Sequence, residues 1–221
     1  MKVAIDGPAG AGKSTISKAV AKRLGFVYID TGAMYRAIGL AAVRRGIDTT
    51  DAQGVESILP DVDVSISHNE SGQQVFLNGE NVSDEIRLPE ISVAASNVAV
   101  IPAVRLKLVE LQRSLAEKTD VIMDGRDIGT YVLPNAEVKI FLSASVEERA
   151  KRRLKELLEK GVETDLESVK ADMEYRDKND SGRDFAPLKA AEDSIPFDNT
   201  NITLDEAIDK LCEIIKGGAA Q

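Results

Sequence analysis

Nine consecutive residues, Gly7-Pro8-Ala9-Gly10-Ala11-Gly12-Lys13-Ser14-Thr15, carry the spacing G-x-x-x-x-G-K-[ST], a pattern that grips polyphosphates. Its three glycines let the backbone curl until successive N–H groups point inward at phosphate oxygens. A helix starting just beyond aims its positive end at the same point. Lys13 can reach the β- and γ-phosphates, and the Ser14 hydroxyl is placed to ligate Mg²⁺. Asp124-Gly125-Arg126-Asp127 forms a second charged group, directly after the apolar run Val121 to Asp124. A carboxylate there can hold water on Mg²⁺ and an arginine can neutralise a transferring phosphate; the alternative is an ordinary polar turn. Arg149, Arg152 and Arg153 fall within about one and a quarter turns of helix and can share a face. Glu147/Lys151 and Glu148/Arg152 at i,i+4 equally suit a solvated, salt-bridged helix.

The elements that must position these groups follow from periodicity. Lys2 to Asp6 (KVAID) reads as a buried strand and Lys13 to Leu24 as a helix, so the phosphate loop sits in its required setting and the chain is expected to bind a nucleoside triphosphate. Phe26 to Ile29 reads as a second strand, followed by a helix from about Ala33 to Arg45. From Asp61 to Ser83 the character changes. Val62, Val64 and Ile66 alternate with polar residues, as do Val75 and Leu77 after a Glu70-Ser71-Gly72 turn, and Asn78-Gly79 is a hairpin signal. This stretch is expected to be a small antiparallel sheet inserted into an otherwise alternating chain. Helices are expected over Glu90 to Ala99 and Ala103 to Lys118, strands over Val121 to Asp124 and Val138 to Leu142. Ser145-Val146-Glu147-Glu148 caps a charged helix to about Lys160, and a second charged helix runs from about Asp165 to Asn179. Ser194 to Asp198 is a candidate last strand, Thr203-x-x-Glu206 caps a final amphipathic helix, and the GGAAQ tail is expected to fray. Strands alternating with helices imply a doubly wound parallel sheet with the phosphate loop at the carboxyl ends of its strands.

Bulk properties narrow the function. A chain of 221 residues fits one medium domain with appendages, or two small ones. No basic-then-apolar leader opens the chain, no apolar run approaches a bilayer's thickness, and Cys212 is the single cysteine, which together point to the cytoplasm and away from membranes and cysteine–zinc clusters. The net charge of −9 and pI near 4.8 argue against general nucleic-acid binding. An acidic protein that binds polyphosphates must concentrate arginine locally, against its own overall field. His68, in the expected hairpin, reads as a surface residue rather than a base, and Cys212 as a small core residue.

IDGPAGAGKST, DTGAMYR (Asp30 to Arg36), AAS with PxVR (Ala94 to Ser96, Pro102 to Arg105), DGRDIGT (Asp124 to Thr130), VKIFLSAS with ERAKRR, YRDKND with SGR (Tyr175 to Arg183) and APL occur in this order. On these motifs the sequence closely resembles the bacterial type of cytidylate kinase. The resemblance implies a P-loop kinase of α/β class: a doubly wound five-stranded parallel sheet, a small antiparallel insert and a helical lid. It divides the chain into a core (1–30, 103–145, 185–221), an acceptor-binding region with the insert (31–102) and a lid with its adjoining helix (146–184). It implies transfer of phosphate from ATP, with Mg²⁺, to CMP and dCMP, by a monomer. By the same resemblance Arg36 and Arg126 clamp the acceptor phosphate, and Thr31, Arg105, Asp127 and Arg183 form the cytosine pocket. Cytosine's amino group needs an acceptor such as Asp127, while its O2 and N3 need donors such as Arg105 and Arg183. Ser96, Arg176 and Asp180 fall near the pentose. Arg149, Arg152 and Arg153 fall in the lid over ATP, with Lys13, Arg126, Arg149 and Arg153 acting on the transferring group and Arg152 binding ATP. Thr31 stands where such enzymes often have serine. Rival readings are a small P-loop kinase for UMP, AMP, shikimate or dephospho-CoA, a noncatalytic remnant, or a nucleotide switch. The last would need a guanine-reading Asn-Lys-x-Asp, which the sequence lacks.

Overall fold

The computed structural model describes residues 1–70, 72–159 and 161–218. Five short strands, β1 (Lys2–Asp6), β2 (Val27–Asp30), β6 (Val121–Gly125), β7 (Val138–Ser143) and β8 (Ile195–Asp198), form a parallel sheet ordered β2-β6-β1-β7-β8. Consecutive side chains alternate between its faces. Val3 and Ile5 pack on one side with Ile122, while Ala4 packs on the other with Val121 and Met123. Both faces are covered, so the strands read as near-continuous apolar runs. α1 (Lys13–Leu24) and α8 (Leu204–Gly218) cover the first face. The second lies under α2 (Thr31–Arg44), α4 (Pro89–Val98) and α5 (Pro102–Ala116).

Between β2 and β6 the chain inserts α3 (Ala52–Ile58) and an antiparallel sheet of β3 (Val64–Asn69), β4 (Gly72–Leu77) and β5 (Glu80–Asn81). Asn78 (φ 49°) and Gly79 (φ 82°) make the two-residue turn joining β4 to β5, as the Asn-Gly pair requires. The expected Glu70-Ser71-Gly72 turn includes Ser71, which lies outside the described residues. α6 (Val146–Glu159) and α7 (Leu166–Gly182) pair over a small core of their own: Ala150, Leu157, Val169 and Met173. Ser145 Oγ accepts from the Glu148 amide at 3.2 Å, the expected start of α6; its expected end at Lys160 lies outside the described residues. Thr203 and Glu206 form a reciprocal cap, with the Thr203 amide donating to Glu206 at 2.8 Å and the Glu206 amide to Thr203 Oγ1 at 3.3 Å. Of the tail, Gly217 and Gly218 continue α8 and residues 219–221 lie outside the described ones. Among the described residues no single helix is long and apolar enough to cross a membrane.

Candidate active site

β1 and β6 are neighbours in register, with Asp6 opposite Gly125, so the loops leaving their carboxyl ends emerge side by side. The first is the phosphate loop. Gly7 (φ 152°) lies so close to β7 that a Cβ there would stand 1.9 Å from the Leu142 carbonyl oxygen; only glycine fits. Gly12 (φ 88°) caps α1 in the left-handed region. Lys13 is 6% exposed and donates to the Pro8 carbonyl at 2.7 Å. Burial, and then the neighbouring Arg126, hold its ammonium well below its usual pKa, while Asp124, Asp180 and Asp6 pull the other way. A phosphate beside it would restore the charge.

Asp124 closes β6. Its Oδ2 accepts from Ser14 Oγ and its Oδ1 from the Tyr28 hydroxyl, both at 2.9 Å. Burial, with the Asp30 charge, raises its carboxyl to about 6. Ser14 and Asp124 thus bring two hard oxygen donors together. That fits Mg²⁺, which keeps several waters and phosphate oxygens in its shell instead of needing an all-protein cage. Among the described residues no three His, Cys, Asp or Glu side chains cluster to hold a metal unaided.

Beyond Asp124 lie the groups expected to read the acceptor. Arg105 and Arg183 both bind the Asp127 carboxylate. Arg105 pairs with Oδ2 and Arg183 reaches Oδ1 at 3.4 Å. Arg105 also donates to the Ala99 carbonyl at 3.2 Å and lies over the Tyr35 ring, 5.3 Å from its centre. Thr31 donates its hydroxyl to the Asp124 carbonyl at 2.7 Å. Arg126 donates Nε to Asp180 at 2.7 Å. Burial alone would raise the Asp180 carboxyl, but Arg126 and Arg183 bring it below its usual value. Burial beside Arg126 and Arg36 lowers the Arg176 guanidinium to about 10. Arg176 Nε and Arg36 Nη1 are buried without a hydrogen-bond partner. Ser96 accepts a long 3.4 Å bond from Asn179.

One cavity of about 860 Å³ joins all of this. Ala9, Gly10 and Gly12 to Thr15 of the phosphate loop line it, as do Thr31, Arg36, Ser96, Arg105, Arg126, Asp127, Arg176, Asp180 and Arg183. Nine cationic and five anionic side chains face it, inside a chain of net charge −9. The α6 arginines do not act as one face. Arg153 lines the cavity and pairs with Glu156 at 2.9 Å. Arg152 lines it too, bonded to Asn199. Arg149 is not on the wall: it is buried, donating to the Ala9 and Ala144 carbonyls and to Asp177.

Several residues of the site escaped the sequence reading. Asp30 caps α2 by accepting from the Ala33 amide at 3.0 Å, and its Oδ2 takes Arg87 at 3.0 Å and Arg36 at 3.6 Å. Burial would raise its carboxyl, yet Arg36 and Arg87 hold it below the usual range. The Asp before the helix was a readable cap signal. Asp177 accepts from the Ala9 amide at 3.1 Å. Asn199 donates to the Ala11 carbonyl at 2.9 Å. With Ile202, Leu204 and Ala207 it completes the cavity wall beside α1; no local sequence pattern marks these as wall residues.

Residues 3–217 match the family model described as cytidylate kinase. Two proteins named cytidylate kinase, from Caldicellulosiruptor saccharolyticus and a Geobacillus species, are each 52% identical to this chain. They cover 97% of it and 95% and 96% of their own lengths. In three dimensions an uncharacterized protein from Eubacterium ventriosum, 12% identical, superposes over 98% of both chains with a TM-score of 0.54, a likeness of fold alone.

Proposed function

This chain belongs to the cytidylate kinase family, and we propose that it transfers the γ-phosphoryl group of ATP directly to the phosphate of CMP or dCMP, both nucleotides lying in the one cavity. The observation that carries this reading is the cavity's wall. It runs without interruption from the phosphate loop, past Lys13 and Arg126, to the Arg105–Asp127–Arg183 cluster. A volume of about 860 Å³ lies within the range of small-molecule sites.

The donor's triphosphate lies in the phosphate loop, its base against Ile202, Leu204 and Ala207, with Arg152 and Arg153 closing over it. Ser14 and Asp124 would hold Mg²⁺, which when bound neutralises charge on the β- and γ-phosphate oxygens. The acceptor's phosphate lies between Arg36 and Arg126, whose planar forks suit bidentate contacts. Arg36 Nη1 and Arg176 Nε, which make no hydrogen bond, are the donors this phosphate and its sugar would satisfy, with Ser96 and Asp180 at the pentose. Asp127, already fixed by two arginines, keeps lone pairs for cytosine's amino group, and Thr31 lies at its edge. Uracil would set its O4 against that carboxylate, leaving buried polar groups unpaired. An acceptor phosphate is already a nucleophile, so no general base is needed; positioning and charge neutralisation supply the rate. Arg149, which holds the phosphate loop through Ala9 and Asp177, acts on catalysis from behind the loop. The chain works as one domain in three parts: core, acceptor region and lid. We place it in the cytoplasm, as a monomer.

The test is a panel of acceptors with ATP and Mg²⁺, following ADP formation. CMP and dCMP should exceed UMP, AMP and shikimate by at least tenfold in kcat/KM. A preference for any of the others would overturn the assignment of the base pocket.

A further inference from the structure

Asp6 ends a strand that is otherwise apolar in its inner residues, and it is 4% exposed. It belongs to neither nucleotide's contacts above and does not line the cavity. Both of its carboxylate oxygens are nonetheless engaged. Oδ1 accepts from the Ile128 amide at 2.8 Å and Oδ2 from the Gly129 amide at 2.7 Å. These are the first two amides after Asp127, at the start of the tight turn Ile128–Val132. The approach is close: a Cβ on Gly129 would press within 3.2 Å of Lys139 Cδ and 3.4 Å of Asp6 Oδ2. On its other side Asp6 is joined through one peptide bond to Gly7, whose backbone is itself wedged against Leu142.

Asp6 therefore ties the phosphate loop to the segment bearing Arg126 and Asp127 across 122 residues of sequence. We propose that Asp6 is a positioning residue for phosphoryl transfer, its carboxylate stapling the acceptor-reading segment at a fixed register from the phosphate loop. A carboxylate suits this because it only accepts, at both oxygens. An amide of the same shape would turn an NH₂ toward one of the two backbone N–H groups. Burial pushes the Asp6 carboxyl up to about 7, and the two amides, with Lys13, offset that only in part; the paired contacts belong to its ionised form, which accepts at both oxygens. Displacing Arg126 and Asp127 by even about 1 Å is enough to cost roughly 10²-fold in rate.

This inference rests on the proposed reading of the acceptor site. Its test is Asp6→Asn, with CMP, UMP and ATP varied in turn. The expected result is a 10- to 100-fold fall in kcat/KM for CMP and a smaller CMP-over-UMP preference, with KM for ATP within about threefold of wild type. Unchanged kinetics for CMP would overturn the proposal. So would a rise in KM for ATP in step with that for CMP, which would mean a general loosening of the core. Amide hydrogen exchange in the wild-type protein gives a second reading that needs neither a folded variant nor the right acceptor. Ile128 and Gly129 should be protected in the absence of any nucleotide, and exchange at open-loop rates would overturn the staple even if CMP is the substrate. Failure of the base assignment would instead leave this protection intact while moving the acceptor preference elsewhere.

Discussion

Lys13, buried, and Arg126, half-buried, lean on makeshift partners, Lys13 on the Pro8 carbonyl and Arg126 on Asp180 and the Gly125 carbonyl. Their neighbourhood is poised for a negative group that would relieve the mutual repulsion between them. In the proposed roles, removing either charge would take away stabilisation that grows as phosphate moves between nucleotides. Lys13→Ala and Arg126→Ala should each lower turnover by at least ~10²-fold, with melting temperature measured alongside to separate catalysis from folding. Near-normal turnover in either folded variant would contradict the roles assigned here. At this scale the sequence was most readable where one short motif carries the chemistry, as with Lys13, Ser14, Asp124 and Arg126, all of which line the cavity. It was least readable where a side chain serves a distant backbone. Asp177 bonds Ala9 across 168 positions and Asn199 bonds Ala11 across 188, and no local spacing encodes such partners. The charged helix shows the same limit. Spacing allows Arg149, Arg152 and Arg153 to share one face, but Arg149 is drawn inward by Ala9 and Asp177.

Among the elements, the inserted sheet does more than lengthen the chain between β2 and β6. β2 is an edge strand of the parallel sheet, and an open edge leaves backbone groups unpaired. Two side chains of the insert take the place of a sixth strand. Gln73 accepts from the Asp30 amide at 2.9 Å and donates to the Asp30 carbonyl at 3.1 Å, and His68 Nε2 donates to the Tyr28 carbonyl at 2.9 Å. His68 was read as a bland surface residue; it is exposed, yet this bond gives it a docking role. Because Asp30 also gathers Arg36 and Arg87, the latch connects the insert to the acceptor end of the site. Gln73→Ala should cost about 1–3 kcal/mol of stability, the net worth of two hydrogen bonds, read by urea unfolding. It should also raise KM for CMP several-fold and leave KM for ATP alone. No change in either quantity would show that the latch is ornamental. The long, strongly patterned elements were legible from periodicity to within a few residues. α3 was not: it has seven residues with a glycine inside, too short for a helical period to register. The irregular turn Ile128–Val132 was likewise missed, since nothing in IGTYV distinguishes it from a loop.

For the molecule as a whole, the alternation of strands and helices led to the right layered architecture, because a sheet buried on both faces writes itself as short apolar runs. Charge tells the complementary story. An acidic chain keeps nine cationic side chains, against five anionic ones, on the wall of a single cavity, a local surplus of positive charge suited to polyphosphate. The proposed function requires two nucleotides to meet end to end in that cavity. A crystal structure with a bisubstrate mimic, adenosine and cytidine joined through a phosphate chain, is the decisive measurement. The phosphates should lie between Lys13 and Arg126, the adenine beside Leu204, and the cytosine amino group within hydrogen-bond distance of Asp127. Cytosine bound away from Arg105, Asp127 and Arg183 would contradict it.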